Sequence, residues 1–342
     1  MVRSRWNRAF AGAALISAMW ANGVQAGSCT LPAWASGSPL GAAVYAMAVT
    51  NCGAFIYSAS GADVAPSGGN VNLFQRYDPV ADTWTTLAPV PTAVDGATLA
   101  CDAPGGRLFL LGGVDISLTF LSLVQVYTIS TNTWSNGPSM RGPRAAMGSG
   151  VIAGKIYLVG GCTDPPLNNP QTQNWEFDPV LGTYTPKAPL PLARCGGGSG
   201  VSATNNRLYV VGGIGTPGFP VNTNFEYDPS TDAWATRAPL LVGVLAPGGV
   251  ALSGDASCAG DLMIVGGENA GGPGALTQLY DVATNSWSSG QPLTEARSWL
   301  AAAQAGNTVI AVGGYNGSTT VNTVERIQGP PLPVALLSFS VE

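Results

Sequence analysis

Three arginines at one position of a repeated segment are the residues best suited to bind a ligand. The segment recurs about every 50 residues, and at this position its copies carry Val44, Val94, Arg144, Arg194, Val244 and Arg297. A guanidinium group holds a carboxylate through two parallel hydrogen bonds, which favours an acidic ligand. Asp95 and Glu295 lie close to this position in the sequence and are predicted to belong to the same site. The alternative is structural, with each arginine hydrogen-bonding the carbonyl groups of nearby loops.

Histidine is absent from the chain, and its absence excludes several kinds of catalysis. Ser-His-Asp and Cys-His mechanisms, histidine zinc sites and histidine general bases all need this side chain. The glycine-rich run 196–200 looks like a cofactor loop, but it falls on a predicted strand, where small residues would line a narrow channel. We therefore expect no cofactor and no metal. One catalytic alternative stays open, in which the carboxylate of Glu295 acts as general acid–base beside Arg297.

The repeated segment predicts a unit of four short strands. Each copy has an apolar run that ends at two glycines, which indicates a buried strand followed by a sharp turn. These pairs are Gly112-Gly113, Gly160-Gly161, Gly212-Gly213, Gly266-Gly267 and Gly313-Gly314. In the first copy, Ala59-Ser60 is predicted to take the place of the pair.

A pair of aromatic residues predicts a β-hairpin in the second half of each copy. The first aromatic precedes turn-forming residues, and the second follows it by seven positions, at Trp84, Trp134, Tyr184, Trp234 and Trp287. A proline after each hairpin ends the outer strand. The last copy lacks its Trp strand, whereas the segment around Trp34 near the other end of the chain matches that strand. We expect the N-terminal strand to complete the last sheet and close a ring.

The combined spacing of Gly-Gly, Tyr-Asp and Trp resembles the kelch repeat over nearly all of the chain after residue 26. Kelch repeats build β-propellers with one four-stranded sheet per blade. The resemblance implies an all-β, six-bladed propeller with antiparallel blades over residues 27–329. It also implies a ligand site at the channel rim, where many kelch domains grip acidic partners with arginines, here Arg144, Arg194 and Arg297.

Two kinds of enzyme with this architecture define the catalytic alternatives. Galactose oxidase contains a kelch-like propeller, but its copper site needs histidines, which this chain lacks. Exported six-bladed kelch proteins include sialic acid mutarotases, which use acid and arginine groups without a metal. The main prediction is a binding or scaffold module for a protein, acidic or carbohydrate ligand. The alternative is a cofactor-free carbohydrate-active enzyme that uses Glu295 and Arg297.

The termini and the charge predict where the protein works. Residues 1–26 have the basic start, short apolar core and small-residue cleavage pattern of a secretory signal peptide, so we expect export to the periplasm or outside the cell. Cys29 follows a weak lipoprotein acylation pattern. The tail 330–342 is either an extra strand on the last blade or a sorting or linker remnant. The formal net charge is −5 without a basic run, so we expect no nucleic-acid partner. No transmembrane segment is expected, and the protein is predicted to be a monomer.

Six cysteines in an exported chain favour disulfides, although buried free thiols are an alternative. Register places Cys52 and Cys101 at the ends of neighbouring inner strands. Cys162 and Cys195 fall on the opposite rim. We predict the pairs Cys52–Cys101 and Cys162–Cys195, which leaves Cys29 to pair with Cys258.

Overall fold

The computed structural model describes residues 31–63, 69–164, 168–215, 220–254 and 261–329. The predicted signal peptide, the tail from residue 330, Cys29 and Cys258 lie outside these described residues. No helix among the described residues has the length and apolar character to cross a membrane.

The described residues form six sheets of four strands, which we number as blades in chain order. Blade one has β2 (Ala48–Cys52), β3 (Phe55–Ala59), β4 (Phe74–Asp78) and β5 (Thr83–Thr86). Blade two has β6 (Thr98–Asp102), β7 (Arg107–Leu111), β8 (Val124–Thr128) and β9 (Thr133–Asn136). Blade three has β10 (Gly148–Ile152), β11 (Lys155–Val159), β14 (Asn174–Asp178) and β15 (Thr183–Lys187), with the ribbon β12 (Cys162–Asp164) and β13 (Asn168–Pro170).

The second half of the chain repeats this arrangement. Blade four has β16 (Gly198–Ser202), β17 (Arg207–Val211), β18 (Asn224–Asp228) and β19 (Ala233–Arg237). Blade five has β20 (Gly248–Ala251), β21 (Leu262–Val265), β24 (Thr277–Asp281) and β25 (Ser286–Ser289), with the ribbon β22 (Glu268–Asn269) and β23 (Gly272–Pro273). Blade six has β26 (Ala301–Ala305), β27 (Thr308–Val312), β28 (Val324–Gln328) and, from the other end of the chain, β1 (Ala35–Gly37).

The six sheets form a closed ring around a central channel. All strand pairs within the blades are antiparallel, and the innermost strand of every blade contacts the innermost strands of both neighbours. Buried apolar side chains fill the spaces between adjacent sheets, so the core is distributed around the ring. The all-β, six-bladed propeller predicted from the repeat is confirmed.

The N-terminal strand closes the ring, as predicted. β1 pairs with β28, with Ala35 opposite Arg326 and Gly37 opposite Val324. The indole Nε1 of Trp34 donates hydrogen bonds to Thr277 Oγ1 at 3.2 Å and to the Gln291 carbonyl at 3.0 Å, both in blade five. The outer aromatic of each other blade likewise donates to a backbone carbonyl of the preceding blade. Trp34 therefore makes for blade six the same inter-blade contact that the outer aromatic makes in the other blades.

The repeated tyrosine of the third strand anchors the outer hairpin turn. In blades one, two, four and five, its hydroxyl donates to an Asp or Asn that has a positive φ and also accepts a backbone N–H from the preceding blade. In blade three, Phe177 lacks the hydroxyl and Gly182 takes the turn position, so donor and acceptor are lost together. The Asp or Asn at the turn therefore both stabilises the hairpin turn of its own blade and binds the backbone of the preceding blade.

The paired-glycine position of blade one lies one residue later than predicted. Ser60 and Gly61, rather than Ala59 and Ser60, occupy it: Gly61 has φ of 110° and its N–H donates to the Val94 carbonyl, as Gly113 donates to Arg144. The second residue of the pair must be glycine because a Cβ on Gly61 would lie 2.8 Å from a backbone oxygen. The first residue has φ of 57°, in the left-handed region that a polar residue tolerates.

Candidate functional site

A ring of six backbone hydrogen bonds surrounds one mouth of the central channel. One residue of each blade takes part, and each N–H donates to the carbonyl of the preceding member at 2.7 to 2.8 Å. All six residues have φ between 49° and 63°. We call these residues the mouth ring: Ala46, Gly96, Ala146, Gly196, Ala246 and Trp299. They lie on the face built by the loops after the paired glycines and by the segments that lead into the inner strands, which we call the Gly-Gly face.

Trp299 is the exception in the mouth ring. The other five members are glycine or alanine, whereas a bulky residue rarely adopts a positive φ. Its side chain is partly exposed and lines a cavity of about 110 Å³ at the channel mouth. Sequence reasoning missed this residue, although the repeat places it two positions after Arg297 and so aligns it with Ala46. A large aromatic where five blades have small residues is a candidate ligand contact.

The three arginines share the predicted register but are buried. At this position in all six blades, the backbone carbonyl accepts a hydrogen bond from the second paired residue of the preceding blade. Arg144, Arg194 and Arg297 expose 8, 6 and 0% of their surface and do not line the channel cavities. Their guanidinium groups bind carbonyl and hydroxyl oxygens of their own blades. This geometry favours the structural alternative, and ligand binding by these side chains stays a prediction.

The partners of the arginines differ from those expected. Arg297 forms an ion pair of 2.9 Å with Glu325, which is almost fully buried and which sequence reasoning missed. Glu325 also accepts hydrogen bonds from the backbone N–H and the hydroxyl of Thr294. Arg194 binds the Thr223 hydroxyl and lies 5.7 Å from the ring of Phe225. Burial lowers the pKa of Arg144 and Arg194, and neither forms an ion pair within the part of the chain described here.

Glu295 is held by its own blade. Its carboxylate accepts hydrogen bonds from Asn316 Nδ2 at 2.8 Å and from Thr323 Oγ1 at 3.0 Å. Arg297, the other residue of the catalytic alternative, is fully buried beside it. The structure therefore brings Glu295 and Arg297 close together, but the guanidinium group of Arg297 is enclosed by protein.

Asp95 is a partly exposed carboxylate on the Gly-Gly face. Its side chain makes no hydrogen bond among the described residues, and burial raises its pKa to about 6. Tyr45, one blade away, is also without a side-chain hydrogen bond there, and its pKa is raised by burial and by the carboxylates of Asp95 and Asp63. The two groups therefore lie close enough to interact, one position before Ala46 and Gly96 of the mouth ring. A partly buried carboxylate that lacks a partner is typical of a functional site.

Replacement of Asp95 by asparagine is expected to stabilise the protein at neutral pH. The folded chain holds the Asp95 proton more tightly than the unfolded chain, so this contribution to stability is present below about pH 4 and is lost as the pH rises through about 6. At pH 7.5, Asp95→Asn should raise the free energy of unfolding by about 2 to 3 kcal/mol, and the gain should vanish near pH 3.5. Urea unfolding across this pH range measures the difference. An equal gain at every pH would contradict the assignment, and Asp164→Asn, an exposed carboxylate of the same face, is the control.

Two of the predicted disulfides are present. Cys52–Cys101 joins the ends of inner strands in blades one and two, with Cα atoms 5.6 Å apart. Cys162–Cys195 joins blades three and four on the Gly-Gly face, with Cα atoms 5.5 Å apart. The pair Cys29–Cys258 lies outside the described residues. The observed bridges each link two neighbouring blades.

The cavities of the central channel are lined by uncharged residues where the structure describes them. A cavity of about 450 Å³ lies at its far end, with polar side chains only from Thr50, Asn51, Ser149, Ser199, Ser253 and Gln304. Residues 196–200 line the channel, as predicted for this glycine-rich run. Within the described ranges, no group of three or more His, Cys, Asp or Glu residues is placed to hold a metal ion.

The loop of blade two presents apolar side chains on the Gly-Gly face. Ile116 and Leu118 are 65 and 66% exposed, and Leu118 has φ of 61°. The Asp115 carboxylate accepts hydrogen bonds from two backbone N–H groups of the loop, and its backbone pairs with Thr119 and Leu118. The loop is therefore ordered by internal hydrogen bonds while its apolar tip faces solvent.

Comparison with known proteins agrees with this architecture. The family model described as Kelch motif matches residues 97–141, 143–191 and 195–241, which correspond to blades two to four. Kelch-like protein 38 of Rattus norvegicus is 31% identical over 220 residues, which are 62% of this chain and 35% of the relative. Kelch-like protein terF of Aspergillus terreus is 29% identical over 289 residues, or 77% of this chain and 59% of the relative. The chain thus spans about a third of the length of Kelch-like protein 38.

A solved structure supports the fold over the whole ring. The structure of YjhT matches 85% of this chain and 99% of its own, with a TM-score of 0.70 and 18% sequence identity. At this identity the similarity concerns the fold alone. The kelch motifs, the related kelch-like proteins and the six observed blades lead to one assignment: the chain is a kelch-repeat β-propeller.

Proposed function

We propose that this protein is an exported kelch-repeat binding module that binds a protein partner through its Gly-Gly face. The signal-peptide pattern of residues 1–26 and the two inter-blade disulfides support export, since disulfides persist in oxidising compartments. The kelch-like relatives support a role in protein interaction.

The blade-two loop is the observation that carries this proposal. Ile116 and Leu118 are exposed apolar side chains on a loop that is ordered by Asp115. An ordered loop loses little conformational entropy when it binds, so its apolar surface contributes more of its burial energy to affinity. The neighbouring loop of blade one approaches it, because a Cβ on Gly69 would lie 4.0 Å from Ile116 Cδ1 and 3.6 Å from Asp63 Oδ1. Apolar contacts and a carboxylate therefore lie side by side, as at the centre and rim of protein interfaces.

Partner capture with paired variants tests the proposed face. The purified chain from residue 27 is immobilised and exposed to an extract of the cell envelope, and bound proteins are quantified by mass spectrometry. Ile116→Ser with Leu118→Ser should reduce the specific partner about tenfold or more, because apolar residues at an interface centre contribute 1 to 2 kcal/mol each or more. Surface substitutions of this kind have little effect on folding.

Val180 and Leu181 provide a matched control on the opposite face. They are 79 and 72% exposed in the hairpin turn between β14 and β15. Val180→Ser with Leu181→Ser removes similar apolar surface and should leave capture unchanged. Unchanged capture by the blade-two variant, together with loss in the control, would place the interface on the other face.

The carbohydrate-active alternative with Glu295 and Arg297 stays a prediction. Nuclear magnetic resonance of freshly dissolved sialic acid would show acceleration of anomer exchange if the chain catalysed it. The binding role is favoured because both side chains already hold intramolecular partners.

A further inference from the structure

Three consecutive blades carry polar groups beside the mouth ring that bond to nothing in the described structure. They are Ser298, Tyr45 and Asp95, each one position before a mouth-ring residue and each paired through its backbone with the residue after the paired glycines of its blade. Ser298 is fully buried, and its Oγ has no hydrogen-bond partner in the described part of the chain. The side chains of Tyr45 and Asp95 also make no hydrogen bond among the described residues. We call these three residues the polar arc.

The opposite half of the ring lacks such groups. At the same position, blades three, four and five carry Ala145, the disulfide-bonded Cys195 and Leu245. Trp299 lies on the side of the polar arc, because its carbonyl accepts the N–H of Ala46 and the Ala46 carbonyl accepts the N–H of Gly96. Trp299 and the three residues of the polar arc thus belong to adjacent blades on one half of the channel mouth.

The exposed charges on this half are negative. Asp63 of blade one adds to the field at Tyr45, and Asp115 lies on the loop of blade two. Arg144 of blade three is buried, and its guanidinium group donates to the Gly160 carbonyl of its own blade. From blade six, Arg297 is fully buried against Glu325. The arginines therefore do not occupy the polar arc, and its carboxylate stays available.

We propose that Asp95 and Tyr45 of the polar arc form, with Trp299, a binding site for a primary ammonium group, such as a lysine side chain of a partner or a free diamine. Asp95 supplies the carboxylate, and Trp299 and Tyr45 supply aromatic faces that attract a cation. The hydroxyl group of Tyr45 accepts one further N–H donor, and an ammonium group has three donors to offer. This inference reverses the ligand charge expected from the arginine register. The inference rests on the proposed function only in one respect, which is that both place the binding surface on the Gly-Gly face.

Titration calorimetry with small amines tests the site directly. The probes are N-acetyl-lysine methylamide, 1,5-diaminopentane and the uncharged N-acetyl-norleucine methylamide. Both amines should bind, and the uncharged analogue should bind about tenfold or more weakly. Tighter binding of the lysine amide would indicate a peptide source, and tighter binding of the diamine would indicate a free amine. Affinity should fall about tenfold between pH 7.5 and pH 5, because protonation of Asp95 near pH 6 removes its charge.

Three variants separate the site from the scaffold. Trp299→Ala is compatible with folding because Ala46, Ala146 and Ala246 adopt the same backbone conformation, and it should weaken amine binding about fivefold. Asp95→Asn should weaken it about tenfold or more. Asp164→Asn, which removes an exposed carboxylate of the same face, should stay within about twofold of the unchanged protein.

Several outcomes would overturn the inference. Equal binding of the uncharged analogue, no binding of either amine at millimolar concentration, or full binding by Asp95→Asn would each do so. If one of these results is obtained and partner capture still depends on Ile116 and Leu118, the proposed function survives and only the ammonium site is wrong.

Discussion

Glu325→Gln is expected to lower the free energy of unfolding by about 3 to 5 kcal/mol, because it leaves the buried charge of Arg297 without its counter-ion. The side chains of Arg297 and Glu325 are 0 and 4% exposed, so water cannot replace the lost partner. Burial already lowers the pKa of Arg297, and Glu325 and Glu295 oppose that effect. Urea unfolding of the variant measures the cost.

A double-mutant cycle shows whether the pair acts as a unit. Arg297→Met should be similarly destabilising, because it leaves the Glu325 carboxylate buried and unpaired. The double variant should cost clearly less than the sum of the two single changes. Lys187→Gln is the control, since Lys187 pairs with Glu176 where both side chains are partly exposed, and it should cost about 1 kcal/mol or less. Additive single effects would mean that the ion pair contributes little to stability.

Trp34→Ala is expected to cost about 3 to 5 kcal/mol, because it removes a buried aromatic side chain where the two ends of the chain meet. Trp34 is 5% exposed and packs in a cluster with residues of blades five and six. Its indole also donates to Thr277 and to the Gln291 carbonyl. β1 has only three residues, so the ladder with β28 is short and Trp34 supplies much of the closure. Thermal unfolding should show a lower midpoint.

Two further variants distinguish closure from general packing. Trp34→Phe keeps most of the apolar contact but loses the N–H donor, and should cost about 1 to 2 kcal/mol. Trp134→Ala removes an equivalent aromatic inside the continuous part of the chain. Limited proteolysis should cleave the N-terminal segment of Trp34→Ala faster than that of Trp134→Ala. Equal cleavage would show that ring closure does not depend on Trp34.

The repeat is visible in the sequence because each blade solves the same packing problem. Paired glycines are needed where a Cβ would meet a backbone oxygen, and the tyrosine is needed where its hydroxyl reaches the turn acceptor, so both recur at fixed spacing. The same logic predicts closure by the Trp34 strand and two disulfides. In blade one the sequence predicts the paired position at Ala59 and Ser60, one residue too early. The backbone conformation corrects this, because Ser60 takes the left-handed φ of the first residue of the pair.

The partners of Arg144, Arg194 and Arg297 could not be predicted from the sequence. The repeat places the three arginines at one position, yet Arg194 and Arg297 contact residues that lie distant in sequence on the third strand of their blades. In blades one, two and five, where the aligned residue is valine, that strand carries Gln75, Gln125 and Gln278, which hydrogen-bond the lead-in segment. Blade six has Glu325 at this position and blade four has Phe225, and each contacts the arginine of its blade. No pattern of spacing indicates which of these partners takes up the guanidinium group.

The sequence by itself determined the kelch propeller, the number of blades, the closure of the ring and two cysteine pairs, because these features depend on local spacing repeated many times. Only the tertiary structure decided which groups of the Gly-Gly face are available. Arg297 is enclosed by Glu325, whereas Asp95, Tyr45 and Trp299 from three neighbouring blades lie together around one side of the channel mouth. Burial and partnership of a charged group depend on side chains that meet across blades, and those contacts arise only when the ring has closed.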